Sequence, residues 1–313
     1  MSQEKWLTAI PPGEPVSSGA RHALALRFDG VLQYLPLAAE RADEDVEYVH
    51  QLRVATRRAR AAIRVFETLM GRKQRRWLNR QMRQLRRAAS DARDLDVLLE
   101  RVIDLPQELD LTGRIELVGE IAQRRRKAQQ PLRAAFEEFD LATFQRHLQR
   151  LGKSVRYRDK GDEPSFAVAA RQLLRPLVER FFATASEDLS TPAALHQLRI
   201  AGKQVRYALE LFAAAFATEL RDAIYPEFEE VQRRLGIVND YVTARLLYEH
   251  WLPIVGPKSQ SLLQRLLQHE QIALTQACSA FHEWWTEERR SSLRQGFDQL
   301  CPPDVSQVPS END

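Results

Sequence analysis

Two segments of this chain, HQLRVATRRARAAIRVF from His50 and HQLRIAGKQVRYALELF from His196, stand 146 residues apart and carry matching chemistry at matching offsets. Their cationic or protonatable side chains fall at i, i+3, i+7 and i+10. These are His50, Arg53, Arg57 and Arg60 in the first copy, and His196, Arg199, Lys203 and Arg206 in the second. At about 100° per residue, such positions occupy an arc of roughly 80°, so all four side chains of each set share one face of a helix. Apolar residues take the opposite face: Leu52, Ala55, Ala59, Ala62 and Phe66, then Leu198, Ala201, Val205, Ala208 and Phe212. One face packs and the other stays charged. The correspondence continues without a gap, setting Arg87 on Arg233 and Arg93-Asp94 on Asn239-Asp240. An internal duplication of an all-helical unit is the simplest source of such a match.

Helical periodicity runs through most of the remaining chain, while sustained two-residue alternation and Asn-Gly or Asp-Gly hairpin turns are missing. The expected fold is all-α: two antiparallel helical bundles, one from each half, related by an internal pseudo-two-fold axis that brings the two stripes to a shared cleft. Helices are expected near 18–41, 45–70, 72–104, 112–138, 141–151, 165–187, 192–216, 218–250 and 258–295. Asp43 and Asp45 are N-cap candidates before the first charged helix, Ser190-Thr191-Pro192 supplies a cap and a first-turn proline before the second, and Gly71 is placed to end the first. The chain divides into a tail (1–16), a first helical half (17–151), a polar connection (152–164), a second half (165–297) and a tail (298–313), forming one domain overall. No apolar run approaches the ~20 residues of a membrane span, and the first residues do not read as a secretory signal. The cytoplasm is the expected compartment. Cys278 and Cys301 form no disulfide framework or zinc pattern and are expected as plain thiols.

Charge is segregated along the chain. Between Val49 and Ser90 thirteen arginines and lysines face Glu67 alone, so the rest of the sequence is net acidic although the whole chain carries +3. Of the 46 basic residues 39 are arginines, whose planar forks grip phosphate oxygens in pairs where lysine acts as a point charge. The first stripe extends to Arg64 at i+14, about 20 Å of helix at 1.5 Å per residue. No carboxylate between Val49 and Phe66 relieves the repulsion. An anion from elsewhere is implied, although a stripe paired with acidic residues of another helix would look the same. The next segment repeats the spacing with Lys73, Arg76, Arg80, Arg83 and Arg87. Two cationic helices bordering one groove suit an extended phosphate chain better than a compact ligand. A nucleic-acid-binding module could carry similar stripes, but Phe66 and Trp77 sit beside or opposite the cations and give no stacking ladder. Helix-turn-helix, RNP and zinc-finger spacings are also lacking.

His50 and His196 open their stripes, where an imidazole of ordinary pKa ≈ 6.5 gains a proton more readily beside a bound anion. A histidine bonded internally to a carboxylate or backbone group is the competing reading. Flanking arginines repel cations, so metal ligation is disfavoured. Asp94 and Asp240 read as internal partners for arginines rather than as catalytic groups. The chain has no Walker-type loop, no G-x-S-x-G elbow and no HExxH.

VHQLRVATRRARAAIRVF followed by ARDLDVLLERV, and LHQLRIAGKQVRYALELF followed by LGIVNDYVTARLL, resemble the CHAD domain family, an α-helical domain named for its characteristic histidines. The resemblance spans roughly residues 18–297. It implies a two-bundle helical fold that binds inorganic polyphosphate through basic histidine- and arginine-bearing helices, often at polyphosphate granules. By position, the binding role falls on His50, Arg53, Arg57, Arg60 and Arg64, and on His196, Arg199, Lys203 and Arg206; Arg76, Arg80 and Arg83 match the basic second helix. Two departures stand out. Glu210 occupies the place of Arg64, and Asp222, Pro226 and Glu229 replace Arg76, Arg80 and Arg83, so the ligand is expected to lean toward the N-terminal half. Some relatives carry a triphosphate-processing domain with an E-x-E-x-K signature; none stands in this sequence. The expectation is therefore a binder with no catalytic residues, metal or cofactor. A nucleic-acid-binding module and, less favoured, a phosphohydrolase using His50 or His196 are the alternatives.

Overall fold

A computed structural model of the protein describes residues 5–105, 111–216 and 220–302. Twelve α-helices are described: α1 (Val16–Glu40), α2 (Glu47–Val65), α3 (Arg72–Ala88), α4 (Ser90–Ile103), α5 (Leu111–Ala128), α6 (Gln130–Glu137), α7 (Leu141–Ser154), α8 (Phe166–Ala185), α9 (Pro192–Leu211), α10 (Tyr225–Trp251), α11 (Pro257–Trp284) and α12 (Glu287–Leu300). Among the described residues there is no β-strand, only an isolated bridge between Pro15 and Ser165. The 146-residue offset recurs in the helix limits: α7 and α12 begin and end that far apart.

Local chemistry accounts for several of the ends. Thr191 caps α9 by accepting from the Ala194 N–H at 3.2 Å, and Ser165, Asp140 and Thr286 cap α8, α7 and α12 in the same way. Asp45 acts one residue before the cap of α2, accepting from the Glu47 N–H at 2.8 Å. Three expected helices are broken in two. The 72–104 segment divides at Ala89, where the Arg53 guanidinium reaches the Ala89 carbonyl. The 112–138 segment divides before Pro131, which has no N–H to continue the ladder. The 258–295 segment divides at Trp285-Thr286. Gly71 does not end α2; a 3-10 turn at Glu67–Leu69 intervenes, and Gly71 leads into α3 with extended backbone.

Packing produces two helical bundles, and they do not coincide with the two halves of the sequence. The larger core joins α1, α2 and α3 to α8, α9, the first part of α10 and the last part of α11. Phe66 and Phe212 meet there edge to face, 5.7 Å between ring centres. The smaller core takes α4 and α5 from one half and the rest of α10 and α11 from the other, through Leu98, Val102, Leu117, Tyr248, Trp251 and Leu262. Gly202 lets α9 approach α10 closely; a Cβ there would collide with the Gln232 side chain. A buried polar chain ties the bundles together. Arg125 of α5 donates to Asp96 of α4 and, at 2.9 Å, to the Gln129 carbonyl oxygen, and the Gln129 amide donates to the Ala38 carbonyl of α1 at 2.6 Å.

The N-terminal segment is packed where a loose tail was expected. Leu7 and Ile10 are buried, Trp6 lies against Tyr225, and the Leu7 N–H donates to the Glu210 carbonyl at 3.0 Å. Residues 303–313 of the expected C-terminal tail lie outside the described residues, but α12 extends to Leu300 and Cys301 is buried. In the expected connection, α7 runs on to Ser154 and Val155 is buried. Gly161 there has φ +101°, a conformation that L side chains rarely adopt. Both cysteines are free thiols. Among the described residues no helix is long and apolar enough to cross a membrane.

Candidate polyanion-binding site

Helices α2 and α9 pack directly on each other, and their cationic faces meet along one side of the molecule. Two cavities lie along this line. A cleft of about 500 Å³ opens where α2 meets α4 and α10, with His50, Arg53 and Arg57 on one wall and Asp240, Asn239 and Arg101 on the other. A smaller groove of about 170 Å³ follows between α2 and α9, with Arg57, Arg60 and Arg64 opposite Lys203 and Gln204. Arg57 belongs to both. The first stripe and Lys203 thus line a path that runs through both cavities and shares Arg57, while His196, Arg199 and Arg206 line neither, and Asp94, Glu100, Asp104 and Asp240 stand among the arginines of the larger cleft.

Electrostatics along the path show crowding of like charge. Burial, against the opposing pull of nearby Asp94, brings Arg53 below its ordinary pKa, with Arg57, Arg86 and Arg93 adding repulsion. Burial and then Arg86, Arg83 and Arg64 do the same to Arg60. Arg199 is lowered by burial, although Asp240 pulls it back up. The strongest effect falls on Lys203: burial, followed by Arg199, Arg57 and Arg206, pushes its ammonium down to about 7 against the pull of Asp240. His50 is held below the usual imidazole range by burial and then by Arg93, with Glu47 opposing and Arg57 and Arg53 adding to the shift. Burial leads each of these shifts and like charge adds to it; the groove between α2 and α9 has no carboxylate in its lining among the described residues, whereas Asp94, Glu100, Asp104 and Asp240 line the larger cleft. The buried guanidinium Nε atoms of Arg57, Arg60, Arg86 and Arg199 have no hydrogen-bond acceptor among the described residues.

The members of the stripes are held differently. Arg53 is anchored, donating to the Ser90 hydroxyl at 2.8 Å. His196 is exposed and its Nδ1 lies 2.7 Å from the side-chain Oδ1 of Asn239. His50 sits beside Arg93, the residue aligned with Asn239 by the repeat. The RD and ND pairs therefore stand next to the histidines that open the stripes. Arg206 lines neither cavity and is partly neutralised: its Nε lies 3.8 Å from Glu210, which is itself 3.3 Å from Arg58. Burial works against the Arg206 charge, yet Tyr207, Glu210 and Tyr225 together raise its pKa. Asp94 and Asp240 raise the pKa of Arg53 and Arg199 through space.

Helix α3 contributes less of its expected stripe. Arg76, Arg80 and Arg83 are exposed and line neither cavity. Arg83 still bears on Arg60, and Arg86 bears on both Arg53 and Arg60. Arg86, Arg93, Arg101 and Asn239 were not singled out by stripe spacing. For Arg86 a signal existed, because it is three residues beyond Arg83; for the others only tertiary packing brings them to the cleft. Aromatic and histidine residues away from the path pack against protein. Trp77 stacks on His147 with ring centres 3.7 Å apart, and the guanidinium groups of Arg234 and Arg289 each lie over the Trp284 ring. Among the described residues no three His, Cys, Asp or Glu side chains gather into a cation cage.

Comparison with known proteins places this geometry in context. The CHAD domain family model matches residues 22–249. The fold is similar to the crystal structure of the CHAD domain from the plant Ricinus communis, with a TM-score of 0.65 and 20% identity over 92% of this chain and 93% of that one. It is also similar to PptA from Streptomyces chartreusis, with a TM-score of 0.61 and 16% identity over 87% of this chain and 99% of that one. No curated protein matches it by sequence.

Proposed function

Because the chain belongs to the CHAD domain family, we propose that it binds inorganic polyphosphate along the cationic path between α2 and α9, and holds the polymer without cleaving it. The observation that carries this reading is the convergence of Arg57, Arg60, Arg64 and Lys203 on one groove whose lining, among the described residues, holds no carboxylate. A polymer with an anionic oxygen at every repeat supplies the missing counter-charge to such groups one after another, and each charge-assisted bond is about twice as strong as a neutral one. The proposed contacts are His50, Arg53, Arg57, Arg60 and Arg64 from α2, and His196, Arg199, Lys203 and Arg206 from α9. Arg76, Arg80 and Arg83 extend the field over α3, and a cytoplasmic place at polyphosphate granules follows from the same ligand.

Titration with long-chain polyphosphate at several salt concentrations tests the proposal directly. Binding should weaken steeply as salt rises, in proportion to the counterions released. Duplex or single-stranded nucleic acid that displaces polyphosphate efficiently at equal phosphate concentration would replace this reading with a nucleic-acid-binding module. Orthophosphate release from polyphosphate with Mg²⁺ or Mn²⁺, abolished by His50→Ala, would replace it with a hydrolase.

A further inference from the structure

The groove between α2 and α9 has a feature that an inorganic phosphate chain does not use. Beneath the cations of Arg57, Arg60, Arg64 and Lys203, its floor consists of Ala61, Val65, Leu177, Ile200 and the ring of Tyr207. Ile200 remains 37% exposed at this position. An apolar floor beside unpaired guanidinium groups gains nothing from inorganic phosphate, which is hydrated on every side. It gains from covering by a flat apolar group attached to a phosphate. Gln204 on the wall offers an amide donor and acceptor, and arginine planes stack on bases.

We propose that this groove binds a nucleoside di- or triphosphate, with the base on the Ile200–Leu177 floor and the phosphates directed along Arg60 toward Arg57. The partner chemistry is set by complementarity: a single ring system with polar edges over the floor, and a short anionic tail under the guanidinium groups. The inference shares Arg57 and Arg60 with the proposed polyphosphate path and rests on that reading for the direction of the phosphates.

The test compares ATP with inorganic tripolyphosphate by calorimetric titration of the full chain, with long polyphosphate as a third ligand. Tripolyphosphate carries more charge per molecule, so a preference for ATP must come from the nucleoside. ATP is expected to bind about tenfold tighter than tripolyphosphate, the equivalent of covering one small apolar patch. Ile200→Ser should erase that preference while leaving tripolyphosphate affinity unchanged. ATP binding no tighter than tripolyphosphate, or an equal loss for both ligands in Ile200→Ser, overturns the inference. So does capture by phosphatidate vesicles with no effect of ATP, or self-association lost in Ile200→Ser, since each assigns the floor to another occupant. Failure of long polyphosphate to bind, with the ATP preference intact, removes only the polyphosphate reading.

Discussion

The carboxylate of Glu210, on α9, lies 3.3 Å from the Arg58 Nε on α2 and its side chain is only 1% exposed. In sequence Glu210 stands where the first stripe has Arg64, and reads as a loss of one phosphate contact. In the fold it is the internal counter-charge of two arginines, Arg58 and Arg206, and it joins the helices whose outer faces form the cationic path.

Glu210→Gln should therefore lower stability, because two partly buried guanidinium groups lose their counter-charge. A loss of about 3 kcal/mol is expected for breaking a buried pair from one side. Urea denaturation of the variant and the parent measures it, and an unchanged midpoint would contradict the role.

Binding of polyphosphate should strengthen as pH falls through 7. In the free protein Lys203 is only partly protonated there, its pKa being pushed to about 7, and His50 is lowered for similar reasons. A bound anion favours the charged form of both, so complex formation takes up protons. Lys203→Met should flatten the pH dependence between about 6 and 8, read from binding titrations in buffers of different ionisation enthalpy. Folding responds with the opposite sign. The unfolded lysine holds its proton up to its ordinary value, so without ligand this group makes stability rise with pH between 7 and 10.5.

The two stripes should contribute unequally. Arg57→Gln with Arg60→Gln is expected to weaken polyphosphate binding by about tenfold or more per arginine, from the loss of charge-assisted hydrogen bonds. Lys203→Gln with Arg206→Gln should cost less, because Lys203 is half-titrated near neutrality and Arg206 is already matched by Glu210. Equal losses in a competition titration would contradict the asymmetry.

Asp96→Ala should be among the most damaging single changes away from the site. It leaves Arg125 buried without its carboxylate and disturbs the Gln129 link to Ala38. A loss of about 3 to 5 kcal/mol is expected, and thermal unfolding reads it.

The helical character, the two charged faces and the family were open to reading because they depend on local periodicity. A stripe at i, i+3, i+7 and i+10 with apolar residues opposite has one helical interpretation, and α2 and α9 carry it. The bundles were not readable in the same way. Whether α4 packs with its own half or with α10 depends on contacts between distant apolar residues such as Leu98 and Trp251, which periodicity does not pair. The same holds for the site. Arg93, Arg101 and Asn239 reach the cleft by tertiary packing, and the proton deficit of Lys203 arises from burial, with Arg199 on its own helix and then Arg57 on the other adding to it. The N-terminal strap gave no periodic signal because it binds through individual contacts, Leu7 on the Glu210 backbone and Trp6 on Tyr225.

Helices α10 and α11 each run through both cores, contributing Phe228 and Leu274 to one and Tyr248 and Leu262 to the other. Neither bundle can melt without fraying backbone that the other needs. Heating should accordingly give a single calorimetric transition with matching calorimetric and van't Hoff enthalpies, and a destabilising change such as Asp96→Ala should move that whole transition instead of splitting off a shoulder.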